Sequence, residues 1–140
     1  MTIRVRTVCS AGERDEAFAI RKRVFQDEQG VPAAEEFDAD DDRAIHLVAE
    51  ADGAVVATGR IIFNPDYAKV GRMAVLREWR RRGVGRALLE RFIAIAAEHG
   101  AECIVLHAQV QAIPFYLALG FVVEGGEFLE AGIPHRRMIR

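Results

Sequence analysis

A run of arginine and glycine residues, Arg80-Arg81-Arg82-Gly83-Val84-Gly85, lies between an apolar strand-like stretch and an amphipathic helix pattern. The first backbone N–H groups of a helix have no intrahelical partner, and the helix dipole adds positive potential at that end. Glycines let the backbone approach an anion closely, and arginines add charge-assisted hydrogen bonds. The segment therefore predicts a binding site for a diphosphate group.

Two common nucleotide-binding loops do not match this segment. A dinucleotide fingerprint needs a third glycine where the chain has Leu88, and a phosphate-binding loop of the Gly-Lys-Ser/Thr type needs a lysine that the segment lacks. The remaining pattern is R-x-x-G-x-G, with Arg80, Gly83 and Gly85 as its fixed points.

Length and composition set limits on the protein. The 140 residues fit one domain, residues 1–140, and the formal charge of −2 argues against a nucleic-acid-binding surface. Cys9 and Cys103 lie far apart, which favours free thiols and a reducing, cytoplasmic setting. The N-terminal residues have no apolar core of a signal peptide, and no run has the length of a membrane span, so we expect no membrane attachment.

The hydrophobic patterns predict an α/β (α+β) domain with a mixed sheet flanked by helices. Asp52-Gly53 is a strong hairpin signal between two strands, and Gly30-Val31-Pro32 is typical of a helix end. The predicted helices are 13–29, the helix after Gly83, and 112–119. The predicted strands are 3–8, 45–50, 54–63, 68–76, 103–108, 121–123 and 135–139.

Two motifs together resemble the GNAT family of N-acetyltransferases. The first is R-x-x-G-x-G after the strand Arg72-Met73-Ala74-Val75, and the second is A-x-x-F-Y-x-x-x-G-F over Ala112–Phe121. The resemblance implies a mostly antiparallel sheet of about six or seven strands, about four helices, and acetyl-CoA as the cofactor. It implies cofactor contacts from Met73, Ala74, Val75, Arg80, Arg81, Arg82, Gly83, Val84, Gly85, Arg86, Gln109 and Tyr116, with Gln109 standing where many relatives have asparagine.

The resemblance also implies roles in catalysis. In the family, the tyrosine at the position of Tyr116 protonates the departing sulfur of coenzyme A. The alternative for Tyr116 is a tyrosine that is only packed in the core. The ending G-x-P-H-x-x-M is similar to that of ElaA-like and glyphosate-acetylating enzymes, where the histidine acts on the amine. His135 is therefore the candidate base, and a histidine that only holds the strand is the alternative. His46 and His107 lie in strand patterns and are expected to be packed and hydrogen-bonded, while His99 is expected to be solvated at a helix end.

Two further charged segments have residue types that suit substrate or metal binding. Arg21, on the first predicted helix, could reach a substrate carboxylate or phosphate. The stretch from Glu35 to Asp42 begins like a calcium loop but has Arg43 and Ala49 where the loop needs glycine and glutamate. We therefore predict no metal site and expect a solvated acidic loop near the acceptor entrance.

The function predicted from these features is transfer of acetyl from acetyl-CoA to a primary or secondary amine of a small molecule, by direct attack in a ternary complex. The alternatives are a non-catalytic acyl-CoA sensor, which would not depend on Tyr116 or His135, and a protein or peptide N-acetyltransferase. An RNA- or protein-binding module is the reading least compatible with the net negative charge. A homodimer is expected only on the general ground that sheet edges often pair.

Overall fold

A single seven-stranded sheet forms the centre of the protein in the computed structural model, which describes residues 2–140. The strand order is β1-β2-β3-β4-β5-β7-β6, and every neighbouring pair is antiparallel except β4 and β5. The strands are β1 (Ile3–Thr7), β2 (Ile45–Ala51), β3 (Ala54–Phe63), β4 (Ala68–Val75), β5 (Ile104–Gln109), β6 (Val122–Glu130) and β7 (Ile133–Ile139). The predicted mixed, mostly antiparallel sheet is confirmed.

Four α-helices accompany the sheet: α1 (Ala11–Arg21), α2 (Ala33–Glu36), α3 (Val84–Glu98) and α4 (Ile113–Ala118). Short 3₁₀ turns occupy Ala39–Asp42, Arg77–Trp79 and Val110–Ala112. Helix α3 is the longest at 15 residues. Within residues 2–140, no helix has the length and apolar character needed to cross a bilayer.

Helices α1 and α3 cover opposite faces of the sheet. Successive side chains of a strand point to opposite faces, so each strand contributes residues to both sides. On β3, Ala57 and Ile61 belong to the apolar core that contains α3, whereas Arg60 lies on the side of α1. Gly59 lets α3 come close, since a Cβ there would lie 2.7 Å from the Phe92 ring. The two faces therefore differ in chemistry: the α3 face is apolar, and the α1 face carries buried charges.

Strands β4 and β5 diverge after a short contact. Their pairing is limited to Ala68 with Ile104 and Lys69 with Val105, although β4 continues to Val75 and β5 continues to Gln109. Beyond this contact, the backbone of β5 pairs with β7 and not with β4. The divergence opens a V-shaped gap in the middle of the sheet.

A β-bulge lies at the edge of this gap. Gly71 pairs with Arg60 and Ala74 pairs with Thr58, so two residues of β4 stand opposite one residue of β3. One of the two, Arg72, has the left-handed φ of 52° that is unusual for a residue with a side chain. The bulge changes the direction of β4 at the point where it lines the gap.

Three sequence expectations about local structure were wrong in extent. The predicted helix 13–29 is instead α1 followed by a π-helical segment, Lys22–Glu28. The predicted short strand 121–123 is the nine-residue strand β6, because a bulge between Glu124 and Glu127 accommodates two glycines that interrupt the pattern. The last strand also begins two residues earlier than expected, so β6 and β7 form a long hairpin.

Candidate active site

The gap between β4 and β5 is the mouth of a cavity of about 1020 Å³. The cavity brings together most of the residues that the sequence singled out. Those that line it are Met73, Ala74, Val75, Arg80, Arg81, Gly83, Gly85, Arg86, Gln109, Tyr116 and His135. Arg82, Val84 and Arg21 do not line it.

The arginine and glycine loop forms one end of the cavity. Gly83 precedes the first turn of α3 with a left-handed φ of 84°, and Arg81 also has a positive φ of 60°. No side chain caps the N-terminus of α3, so its first N–H groups are available to a ligand. Gly85 faces Phe115, where a Cβ would still find ordinary contact at 3.5 Å. This end of the cavity therefore offers the backbone donors that the predicted diphosphate site requires.

The arginines of this loop have different surroundings. The Arg80 guanidinium forms two hydrogen bonds with Glu28, of 2.7 and 2.8 Å, and donates to the Val75 carbonyl over 2.9 Å. This hydrogen bonding holds the pKa of the Glu28 carboxyl below its usual value. Arg82 stacks over the Trp79 ring at 4.8 Å. Arg81 and Arg86 also line the cavity, and Arg86 donates to Glu90, one turn further along α3, over 2.6 Å.

Val84 and Arg82 differ from the sequence prediction in what they can contribute. The Val84 side chain is buried, so only its backbone N–H could meet a phosphate. The Arg82 guanidinium is held by Trp79 outside the cavity lining. The cradle is therefore largely a backbone site, with the side chains of Arg80, Arg81 and Arg86 beside it.

Strand β4 supplies backbone donors to the gap. Leu76 donates its N–H to the Val56 carbonyl on β3, and hydrogen-bonding directions alternate along an antiparallel strand. The N–H of Val75 is therefore directed away from β3, toward the gap. A donor in this position can polarise a carbonyl oxygen placed between the diverging strands.

Tyr116 lies on α4 and faces the cavity from the side of β5. Its ring packs edge-on against Phe115 and Phe121, with centroid distances of 5.0 and 6.0 Å. Burial raises the pKa of the Tyr116 hydroxyl to about 12. The phenol therefore keeps its proton at neutral pH and can donate it to a developing thiolate.

His135 lies on β7 and is 7% exposed. Its Nδ1 is 2.6 Å from the Ile133 carbonyl oxygen. Because a carbonyl oxygen can only accept a hydrogen bond, Nδ1 is the protonated nitrogen of the neutral ring. The lone pair is thus on Nε2, which is the atom available to take up a proton.

Two residues that the sequence analysis did not assign to the site also line the cavity, His107 and Glu130. His107 Nδ1 lies 2.8 Å from Glu130 Oε1, and His135 Nε2 lies 3.6 Å from Glu130 Oε2. The spacing of His107 and Gln109 on β5 places both on one face of the strand and could have indicated the first residue. Glu130 was missed because the extent of β6 was underestimated.

Gln109 is the last residue of β5 and lines the cavity. Its side-chain amide exchanges hydrogen bonds of 3.0 and 3.3 Å with Gln29, at the end of the π-helical segment. Gln111 adds a further bond of 2.6 Å to the Gln109 oxygen. The residue expected to contact pantetheine is therefore already paired with an amide from the other side of the cavity.

Arg21 does not have the position expected of a substrate contact. It is 1% exposed and donates to Glu36 over 2.6 Å and to Asp41 over 2.7 and 3.1 Å. Its remaining bond is to the Glu36 carbonyl oxygen, and its guanidinium also lies over the rings of Phe18 and Phe37. All three nitrogens have partners, so we assign Arg21 a structural role in place of the predicted substrate contact.

The acidic stretch from Glu35 to Asp42 is likewise not a solvated loop. Glu36 and Asp41 are 2% and 4% exposed, and Asp38 forms hydrogen bonds of 2.6 and 3.1 Å with Arg60. The stretch folds into α2 and a 3₁₀ turn because its carboxylates neutralise arginines buried between α1 and the sheet. Among residues 2–140, no group of histidine, cysteine, aspartate and glutamate side chains has the arrangement of a metal site.

The diverging strands, the uncapped helix and the tyrosine at the cavity form the arrangement expected from the resemblance to acyl-CoA-dependent acyltransferases, and comparisons with known proteins identify the family. The model of the acetyltransferase (GNAT) family matches residues 14–121, so the chain belongs to the GNAT family. The chain is therefore an acyl-CoA-dependent N-acetyltransferase, as the sequence motifs predicted.

Individual relatives agree with this assignment. The chain is 40% identical over 126 residues to the uncharacterised N-acetyltransferase YjcF of Bacillus subtilis, covering 89% of this chain and 90% of that protein. An acyl-CoA N-acyltransferase from Pseudomonas aeruginosa is 26% identical, with a TM-score of 0.80 over 99% of this chain and 98% of that one. Escherichia coli ElaA, at 23% identity, shares the fold with a TM-score of 0.83 over 99% of both chains.

Proposed function

We propose that this enzyme transfers acetyl from acetyl-CoA to the primary or secondary amine of a small molecule. The observation that carries the proposal is that Tyr116, His135 and the backbone of β4 line the same cavity as the arginine and glycine loop. The cavity volume of about 1020 Å³ is close to the upper end of the range of small-molecule sites.

The residues of the cavity supply each element that the reaction needs. Bound acyl-CoA provides an acyl thioester, and the α3 N-terminus with Arg81 and Arg86 holds its phosphates. The N–H of Val75 polarises the thioester carbonyl in the gap between β4 and β5. Gln109 contacts the pantetheine arm once its amide is released from Gln29.

Proton transfer is assigned to two side chains. His135 takes a proton from the acceptor nitrogen through Nε2, because Nδ1 is held by the Ile133 carbonyl. Tyr116, whose pKa is raised to about 12, gives its proton to the leaving sulfur. The amine attacks the thioester directly, so the reaction passes through a ternary complex and needs no acyl-enzyme.

The proposal is tested by separating binding from turnover. We expect Tyr116→Phe to bind acetyl-CoA in calorimetry as the parent does, while kcat falls by roughly 10²-fold, the lower end of the range for loss of a general acid. Tyr67→Phe is the matched control, because Tyr67 is the other tyrosine of the chain and lies outside the cavity lining. Equal loss of acetyl-CoA affinity and turnover in Tyr116→Phe would contradict the role of general acid.

Acceptors are screened with amino acids, polyamines, aminophosphonates and a short peptide. Mass spectrometry of the acetylated product is the preferred readout, because the free Cys9 and Cys103 would react with thiol reagents used to detect coenzyme A. Acetylation of small amines and not of the peptide supports the proposal. Acetylation of the peptide alone would favour a peptide N-acetyltransferase, and acetyl-CoA binding with no acetylated product would favour the acyl-CoA sensor.

A further inference from the structure

Glu130 lies between two imidazole rings on the wall of the cavity. One carboxylate oxygen is 2.8 Å from Nδ1 of His107 on β5, and the other is 3.6 Å from Nε2 of His135 on β7. The Phe128 ring packs against both imidazoles, with centroid distances of 5.0 Å to His107 and 6.0 Å to His135. The register of the hairpin sets this arrangement, because Glu130 pairs with Ile133 and Phe128 pairs with His135.

The protonation of the cluster follows from its hydrogen bonds. An ionised carboxylate can only accept, so His107 donates to it from Nδ1. This hydrogen bond from His107 is the largest cause that holds the pKa of Glu130 below its usual value, and the positive charge of Lys69 on β4 acts in the same direction. Glu130 is thus a carboxylate at neutral pH, fixed on one side by His107.

The second oxygen of this carboxylate faces the nitrogen that receives the proton. When the acceptor amine is deprotonated, its N–H bond breaks, the bonding electron pair stays on the amine nitrogen, and a new N–H bond forms at Nε2 of His135. The ring becomes an imidazolium, and the nitrogen that carries the added proton lies 3.6 Å from Oε2 of Glu130. A negative charge at this distance favours the charged form of the ring.

We propose that Glu130, held by His107, is a positioning residue that stabilises the imidazolium form of His135. The inference rests on the proposed function, in which His135 is the base. Glu130 acts through His135 and needs no contact with the acyl donor. The charged or titratable groups that face it are Lys69 from β4, His107 from β5 and His135 from β7.

The first test does not depend on catalysis. Proton NMR follows the His135 ring signal during a pH titration of the parent, Glu130→Gln and the matched control Glu127→Gln, with the signal identified by its loss in His135→Gln. Glu127 lies on the same strand, is exposed and is outside the cavity lining. In Glu130→Gln we expect the midpoint of the His135 titration to move to lower pH, and in Glu127→Gln we expect no change. An unmoved midpoint in Glu130→Gln would overturn the proposal.

Kinetics provide the second readout. Glu130→Gln should lower kcat near neutral pH by about tenfold, less than the 10²- to 10⁴-fold expected for loss of a general base, with little change in KM for acetyl-CoA. The acidic limb of the kcat/KM profile should move to lower pH together with the NMR midpoint. A rise in KM for acetyl-CoA with an unchanged limb would instead indicate a merely structural role and would overturn the proposal.

A second variant guards against misfolding of the first. His107→Phe leaves the charge of Glu130 but removes the Nδ1 donor of the 2.8 Å bond that orients it, so we expect a smaller shift of the His135 midpoint in the same direction. The role of His135 as base and the role of Glu130 can be refuted separately. Full activity of His135→Gln would refute the base and hence the proposed chemistry, whereas an unmoved His135 signal in Glu130→Gln would refute only the role of Glu130.

Discussion

Arg21 provides the sharpest test of how the α1 face of the sheet is stabilised. We predict that Arg21→Met lowers the free energy of unfolding by about 3 to 5 kcal/mol, the usual cost of breaking a buried ion pair from one side. Methionine has a similar length and no charge, so the change removes the guanidinium while filling much of its space. The prediction concerns stability alone, because Arg21 does not line the cavity.

The magnitude follows from the groups that the substitution leaves unpaired. Glu36 loses the 2.6 Å bond from Arg21, and its second oxygen already has no hydrogen-bond partner within the described chain. Asp41 is affected less, because Arg60 still donates to it over 2.8 Å. The dominant cost is therefore the burial of the Glu36 carboxylate, which is 2% exposed and would keep only one charged neighbour, Arg72 at 3.7 Å.

Chemical unfolding in urea measures this effect through the fluorescence of Trp79, the single tryptophan. The expected loss is a large fraction of the 5 to 15 kcal/mol that is typical of a folded domain. Arg23→Met is the matched control: Arg23 belongs to the same helical stretch, is 57% exposed, and meets Glu78 only at 3.6 Å. We expect the control to change stability by about 0.5 kcal/mol or less. A loss below about 1 kcal/mol in Arg21→Met would refute the reasoning.

Two further predictions concern pH and cofactor affinity. Burial lowers the pKa of His46 from 6.5, so stability should first fall below pH 6.5, where protonation of His46 is favoured in the unfolded chain. The pKa of Asp41 is lowered from 3.8 to about 2, so stability should fall again between about pH 4 and 2. Thermal melts against pH should lose the first decrease in His46→Gln, and its persistence would contradict the assignment. Glu28→Gln removes the ion pair that Arg80 would have to give up when acetyl-CoA binds. Because a partly exposed ion pair is worth about 1 kcal/mol at most, calorimetry should show binding that is tighter by up to about fivefold. Asp27→Asn removes the same charge from the same segment, but Asp27 pairs with Lys22 and not with Arg80, so the affinity should be unchanged.

The local elements of the sheet could be predicted where turn chemistry and strand pattern agree. The strand 54–63 has the bounds expected, since Asp52 and Gly53 adopt the positive φ values of 52° and 82° that a tight hairpin needs. Strand β6 could not be predicted in full, because Gly125 and Gly126 resemble a turn in the sequence. Only the pairing with β7 turns them into a bulge within a continuous strand.

Family motifs placed most of the predicted residues at one cavity because they describe short segments that remain together in the fold. The arginine and glycine loop and the segment that carries Tyr116 each line the cavity. The divergence of β4 from β5, which joins the two segments into one site, depends on pairing between distant strands. It could be expected only through the resemblance to the family, and the bulge at Arg72 was not anticipated.

The errors at Arg21 and Glu130 have a common physical origin. A charged residue in a helix or strand pattern is usually solvated, and its partners here lie 15 or 20 residues away for Arg21 and 23 residues away for the His107 bond to Glu130. Local sequence carries no signal for such distant pairs. The position of His107 is different, because residues two apart on a strand share a face, and His107 therefore lies beside the predicted contact Gln109 on β5.

The two sides of the cavity are held by interactions of different strength, which bears on how the enzyme accommodates its substrates. The wall toward α1 rests on ion pairs of Arg21 and Arg60 that are almost fully buried, so its charges are fixed by desolvation as well as by attraction. The wall toward the phosphate cradle rests on Arg80 with Glu28, which are 37% and 24% exposed, and on the amide pair of Gln29 and Gln109. Partly exposed contacts exchange with a ligand at little cost. We therefore expect the end of the π-helical segment to adjust when acyl-CoA binds, while the α1 face keeps its shape.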